Sequence, residues 1–315
     1  MGLMAAALAL PGAAKAASYP DKPVTVIVPF PPGGPTDIIA RIVAEQLSKE
    51  FGQQFVIDNR PGAAGNIGIA ATARMKPDGY TLMVVSSGMA VSQAVYSNLA
   101  YDPIKDFDPI SILVAQPSSV VVRTESPIKS IAELVAAAKA KPGALNYSSP
   151  GVGTKSHLAG ERLKLVTGAD IVHIPYAGSG PATQALLEGT ADVGFLGLAS
   201  VEPLVKAGKF RALGVTGATR WFTLPDVPTM VESGFPGFVS ESTQSVFAPA
   251  GTPPEVIDAV SKKIAAIFQK PDVRAIAEKA GFQIVASTPE QLKTHLAADI
   301  VEIKDTVKKA GLKID

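Results

Sequence analysis

From Val24 onward, short β-branched runs alternate with segments whose apolar residues recur at helical spacing. That alternation leaves little room for anything but an α/β fold with largely parallel sheets. Val24–Val28 reads as the first buried strand, and Ile38, Ile39, Ile42, Val43 and Leu47 form the stripe of the helix after it, with Thr36 or Asp37 as N-cap. Phe55–Ile57 and Thr81–Val85 continue the sheet. A second unit begins after the strand Ser118–Val122. It continues through a helix capped by Ser130 and Glu133, strands at 145–148 and 171–174, helices at 155–166 and 180–187, and strands at 191–195 and 212–215. The last portion is helical, with capping boxes at Thr252–Glu255 and Thr288–Gln291, and is expected to pack back onto the first unit.

Two of the strand-to-helix junctions are rich in glycine and hydroxyls, Pro29–Asp37 and Ser148–Thr154. The free N–H groups and positive dipole end of a helix's first turn favour negative charge, and glycine lets a ligand approach the backbone. Gly33 and Gly34 in one loop, and Gly151, Val152, Gly153 and Thr154 in the other, are therefore expected to hold a small carboxylate between them. Gly34 is expected to be the position where open space, and any positive φ, matter most. Ser86 and Ser87 sit on the strand edge where ligands bind in open α/β sheets. Tyr176, Ala177, Gly178 and Ser179 follow another strand, and Thr243 and Gln244 lie in the polar stretch Ser242–Ser245 just before an apolar run, so these too are candidates.

Composition narrows the function classes. The 315 residues, 47% apolar, suit a two-domain globular protein, and 29 basic against 28 acidic residues give no cationic surface for nucleic acid. With no cysteine, disulfides, thiol catalysis and cysteine-ligated metals are excluded. The three histidines, His157, His173 and His295, lack metal-ligand spacing, and no cofactor or metal is expected. His173 reads as a core residue and His157 as a cap on its own loop or a cleft residue. Residues 1–17 resemble a signal peptide, with the small-x-small pattern Ala14-Lys15-Ala16 before a charged, proline-bearing start. The mature chain is expected to be exported, soluble and periplasmic.

Read together, several motifs resemble the Bug family of solute receptors for tripartite tricarboxylate transporters. They are Pro29–Asp37 with Ala40-Arg41, Asn59–Gly68, Pro77–Leu82, Gly151–Thr154 with His157–Glu161, His173–Tyr176 and Pro225–Thr229. The resemblance spans residues 20 to 315. It implies a two-domain type II periplasmic binding protein with a ligand cleft between its domains and two crossing strands, near Val120–Arg123 and Ser242–Phe247. Domain I would comprise 18–122 and 245–315, and domain II 123–244. A small organic anion would be held by Phe30, Pro31, Gly33, Gly34, Thr36 and Asp37 on one side and by Gly151 to His157 on the other. Partners would be the small and large membrane subunits of the transporter, the receptor itself being a monomer. Leu196-Gly197-Leu198 and Ser242–Ser245 depart from the family pattern, which makes the wall near Gly197 more apolar and the second crossing richer in hydroxyls.

Other readings compete. A ligand sensor for a signalling partner would use the same cleft. A serine hydrolase would need Ser148 or Ser149 with His157, but the nucleophile-elbow pattern is missing. Gly62, Gly65 and Gly68 lack dinucleotide-loop spacing. Arg41 and Arg60 are either carboxylate clamps or partners in ion pairs within the domain.

Overall fold

The computed structural model describes residues 19–310 except residue 97. The signal peptide read from sequence lies outside the described residues. The chain opens with β1 (Val24–Val28), α1 (Pro35–Phe51), β2 (Phe55–Asn59), α2 (Asn66–Thr72), β3 (Thr81–Ser86) and α3 (Gly88–Val95). β1 pairs in parallel with both β2 and β3, and all of its side chains but Thr25 are buried, as expected for a strand covered on both faces. Proline at the first position of α1 has the φ a helix needs and lacks an N–H that would find no partner there. Ile39, Val43 and Leu47 then bury one stripe of α1 in the core.

β4 (Phe107–Arg123) carries the chain from one sheet into the next. After it come α4 (Ile131–Ala140), β5 (Leu145–Ser149), α5 (Lys155–Thr167), β6 (Ile171–Pro175), α6 (Ser179–Glu188), β7 (Val193–Gly197), α7 (Leu198–Lys206) and β8 (Phe210–Val215). β5 pairs in parallel with β6 and β7. The chain returns through β9 (Glu241–Pro249), then α8 (Pro254–Ile267), α9 (Pro271–Lys279), β10 (Gln283–Ile284) and α10 (Pro289–Ala310). The strand order is β2-β1-β3-β9-β4-β7-β5-β6, with β8 and β10 also on β4.

The sheets are mixed rather than largely parallel as the sequence suggested, because β4 runs antiparallel to β7, β8, β9 and β10, and β3 antiparallel to β9. Residues 107–117 of β4 pair with β9, and residues from Ser118 onward pair with β7 and β8. The exchange falls at Pro117, whose missing N–H interrupts a ladder at little cost where the ladder changes partners. It lies a few residues before the Val120–Arg123 segment assigned to the crossing from sequence. β9 belongs entirely to the first sheet, so the return crossing precedes Glu241.

Each lobe has its own core. Val26, Ile39, Leu82, Ile110 and Phe247 pack with Val260, Ile264 and Ile300, so the C-terminal helices do fold back onto the first unit. In the second lobe alternate residues of β4 face opposite sides: Val120 and Val122 join Tyr147, Leu163 and Phe195, while Val121 joins Leu186, Leu196 and Trp221. Caps formed partly as expected. Thr288 and Gln291 bond reciprocally at 2.8 and 3.2 Å, and Ser130 accepts the Glu133 N–H at 3.1 Å. Thr252 does not cap α8, because its hydroxyl donates instead to the Pro249 carbonyl at 2.7 Å and Pro253 takes the cap position.

Candidate functional site

The loop after β1 is held by one carboxylate. Neither Thr36 nor Asp37 is the N-cap of α1; Gly34 is, with extended backbone and no side-chain cap, and Thr36 and Asp37 fall inside the first turn. Asp37 accepts the Gly33 N–H at 2.9 Å, the Asn59 amide at 2.9 Å, and two bonds from Arg41, both 2.9 Å. Burial pushes the Asp37 carboxyl up, yet the hydrogen bonds from Arg41, Gly33 and Asn59 outweigh it and leave it below its ordinary range. Asp37 is thus a brace whose charge is already neutralised. Arg41 is its ion-pair partner rather than a clamp, and Arg60 pairs with Asp58 at 2.8 Å. The positive φ belongs to Gly33, at 84°, and not to Gly34. Thr36 donates its hydroxyl to Gln244 Oε1 on β9 at 2.7 Å.

The loop after β5 is held by neutral groups. Thr154, the N-cap of α5, accepts the His157 N–H at 3.2 Å and donates to the Gly151 carbonyl at 2.8 Å. The His157 ring turns back onto the loop, its Nδ1 accepting the Gly153 N–H at 3.3 Å. Ser149 Oγ accepts the Gly151 N–H at 3.2 Å and lies 2.7 Å from His173 Nε2. Tyr147, His173 and His157 stack in a column, with ring centroids 4.7 and 4.3 Å apart. Burial, then the neighbouring His157 and Lys164, push the His173 imidazole down to about 3, and burial also lowers His157. Both rings are neutral near pH 7.

These two loops meet at one cavity of about 50 Å³. At roughly 10–15 Å³ per water on the same measure, it has room for a few waters or a small polar group as it stands. Of the residues singled out from the sequence, Phe30, Gly34, Thr36, Ser86, Thr154 and Gln244 line it. The other candidates lie outside its wall. Gly33, Asp37, Gly151, Val152, Gly153 and His157 shape the loops. Pro31 packs under Gly178, Tyr176 donates its N–H to the Ser149 carbonyl, and Ala177 is exposed. Gly197 packs on Pro35 and Gln116. Ser87 and Thr243 join α3 to β9, the Ser87 N–H reaching the Thr243 carbonyl at 2.9 Å, and line a smaller adjoining crevice.

Ser179 also lines the cavity, as do Lys155 and Ser156 of the Gly151–His157 stretch and Ser242 of the hydroxyl-rich crossing, whereas Gln116, which lines it too, was missed by sequence reasoning. Gln116 sits one residue before the partner exchange in β4. Its Oε1 accepts the Ala199 N–H at 3.0 Å, which fixes the orientation of the amide. Its Nε2, buried, has no partner among the described residues. An unsatisfied buried donor beside a polar cavity is a place for an acceptor from outside the chain. With the first turns of α1, α5 and α6 also contributing lining residues, three positive helix ends converge there.

The lobes touch around the cavity. A Cβ on Gly178, at φ 132°, would stand 2.7 Å from Pro31 Cδ, so only glycine permits that approach. Lys155 of α5 reaches Asp299 of α10 at 2.5 Å. The hydrolase arrangement is not assembled: Ser149 meets His173 rather than His157, and among the described residues no carboxylate hydrogen-bonds either imidazole. Among those residues, too, no group of acidic and histidine side chains could hold a metal, and no helix is long and apolar enough to cross a membrane.

Comparisons with known proteins show the chain's family and fold. Residues 39–312 match the family described as the tripartite tricarboxylate transporter family receptor. BugT of Bordetella pertussis is 36% identical over the whole of this chain and 97% of its own. A Rhodopseudomonas palustris protein solved with adipate is 35% identical, with a TM-score of 0.91 over 94% of this chain and 99% of its own. MatC from the same organism, solved with bound malate, is 32% identical, with a TM-score of 0.88 over 92% of this chain and 100% of its own.

Proposed function

Because this chain belongs to the tripartite tricarboxylate transporter receptor family, and is a two-domain solute receptor rather than an enzyme, we propose that it binds a small organic dianion in the cavity between its lobes and presents it to the transporter's small and large membrane subunits. One observation carries the ligand class. The cavity brings together three helix N-termini, the unpartnered Gln116 amide, a lysine and serine hydroxyls, with no carboxylate among its described lining residues. Such a site suits carboxylate oxygens, and the two relatives solved with adipate and malate hold molecules of this kind. Each helix end contributes on the order of 0.3–1 kcal/mol to an anion when exposed, and up to about 2 when partly buried.

The receptor works in the periplasm as a monomer, after removal of residues 1–17. Among the described residues, the partner exchange in β4 supports one lobe from residues up to 117 and from 241 onward and another of 118–240, a small shift from the division read from sequence. Two crossings form a hinge, and contacts such as Gly178 on Pro31 favour the closed state once a ligand bridges the two loops.

The test is a thermal-shift and calorimetric screen of C4 to C6 dicarboxylates, tricarboxylates, aromatic acids and amino acids. At about 100 times its Kd a true ligand adds roughly 2.7 kcal/mol of stability. Binding of uncharged compounds alone would remove the anion reading. Small-angle scattering with a verified ligand is expected to show a smaller radius of gyration than without it.

A further inference from the structure

Lys155 is the first residue of α5, directly after the second loop, and the only charged residue lining the cavity among the described residues. It also lines a second groove, which it shares with Arg162, Glu241, His295 and Asp299. Its ammonium meets Asp299 Oδ1 at 2.5 Å across the two lobes, with the side chains only 13% and 7% exposed. The second Asp299 oxygen is buried without a partner among the described residues.

An ammonium carries three donors, and the hydrogen bond to Asp299 uses one. The acidic partner therefore fixes where Nζ stands without exhausting it. Taking the ammonium away from a buried Asp299 would be costly, so a ligand that kept Lys155 beside Asp299 while taking a second donor is favoured over one that pulled it away. The neutral donors, Gln116 Nε2, the hydroxyls and the helix ends, suffice for one carboxylate. They give no reason to prefer a second negative charge over an apolar end of equal length.

We propose that Lys155 reads the second carboxylate of the ligand, held in place by Asp299, and is the residue through which this receptor selects dicarboxylates over monocarboxylates. The assignment rests on the carboxylate-receptor reading above and adds to it a specificity residue. It also ties occupancy to closure, because the same side chain joins the ligand and α5 to α10.

The experiment is isothermal titration of wild type, Lys155→Met and the double variant Lys155→Met/Asp299→Leu with matched pairs, succinate against butyrate and glutarate against pentanoate. Wild type is expected to favour the diacid by more than tenfold. Lys155→Met is expected to weaken diacid binding at least tenfold and monoacid binding less than threefold. The double variant removes both buried charges, so it keeps a wild-type-like melting curve if the single variant does not fold, and shows the same loss of discrimination. Equal weakening of both acids would make Lys155 a closure latch only, and an unchanged ratio would remove it from recognition; either overturns the proposal. If wild type binds none of these acids, the dicarboxylate selectivity assigned to Lys155 is overturned before any variant is measured, while the receptor reading stands or falls with the wider screen above, so the two failures are distinguishable.

Discussion

The two loops that form the cavity do the same work with different chemistry. The loop from Phe30 to Asp37 is drawn together by a buried carboxylate that gathers four charge-assisted or amide bonds, with Arg41 cancelling its charge. The loop from Ser149 to His157 is drawn together by a threonine cap, a serine and two neutral imidazoles. A helix N-terminus that is to receive an anion must not be occupied by a net negative side chain. The first loop meets that condition by pairing Asp37 with Arg41, and the second by using no acid at all. The two solutions differ in strength and in their response to pH.

The largest expected effect comes from Asp37→Ala. It leaves the Gly33 N–H and the Asn59 amide without their acceptor and removes a pair in which Asp37 is 4% and Arg41 53% exposed. Charge-assisted hydrogen bonds are worth about 1.5–3 kcal/mol and one-sided loss of a fully buried pair about 3–5. With Arg41 half in water, a loss of about 2–3 kcal/mol is expected in urea unfolding. A loss below about 1 kcal/mol would mean that the first loop is held by its packing instead.

Next comes the response to acid. His173 has a folded pKa near 3, below its ordinary value of about 6.5, so between the two the unfolded chain binds more protons. Stability is therefore complete above about pH 6.5 and falls as pH drops toward 3. His157 shifts in the same direction, and the groups around the column are Tyr147, Ser149, Glu161 and Lys164. The Asp37 contribution is present above the ordinary carboxylate range and is lost only as pH falls through its lowered folded value. Melting temperature is thus expected to decline between about pH 7 and 5, with a shallower slope in His173→Gln and an unchanged slope in Asp37→Asn. The reverse pattern would show that the first loop, and not the second, is the acid-labile one.

A smaller effect is expected from Thr154→Val, which keeps the shape and removes one cap. N-cap losses run about 0.5–2 kcal/mol, typically near 1. Thr154 lines the cavity as well, so affinity for a verified ligand is expected to fall with stability. Unfolding and titration on the same preparation would check both, and loss of stability without loss of affinity would limit Thr154 to bracing.

Both loops were legible in the sequence because a glycine-rich break between a β-branched run and a helical stripe is a local signal. What filled the rest of the cavity was not local. Residues 107–117 of β4 escaped notice because Asp108, Pro109, Ser111 and Gln116 interrupt any period-two pattern, although they pair with β9 throughout. Gln116 and Lys155 acquire their roles from Ala199 and Asp299, 83 and 144 residues away. No spacing rule joins such pairs. The caps of α1 and α8 went astray for a related reason: Thr36 was drawn to Gln244 on β9, while Asp108 took the Gly251 and Thr252 N–H groups that order the turn before α8.

The smallest expected difference separates two neighbouring glycines. Gly33 has φ 84°, and nothing lies within 4 Å of where a Cβ would stand, so Gly33→Ala meets no clash and only the left-handed backbone penalty. That penalty is about 1–2 kcal/mol. Gly34 has ordinary extended backbone, and a Cβ there would lie 3.7 Å from Ser179 Cβ, a normal contact. Alanine at Gly34 loses a little as an N-cap and gains a little by restricting the unfolded chain, leaving a change within about 0.5 kcal/mol. Valine at Gly34 adds branches toward Ser179 across the cleft, so it is expected to weaken ligand binding while the unliganded melting curve moves little. If Gly34→Ala destabilises more than Gly33→Ala, the strain has been assigned to the wrong glycine. If Gly34→Val binds as tightly as wild type, the approach of α1 to α6 does not limit closure.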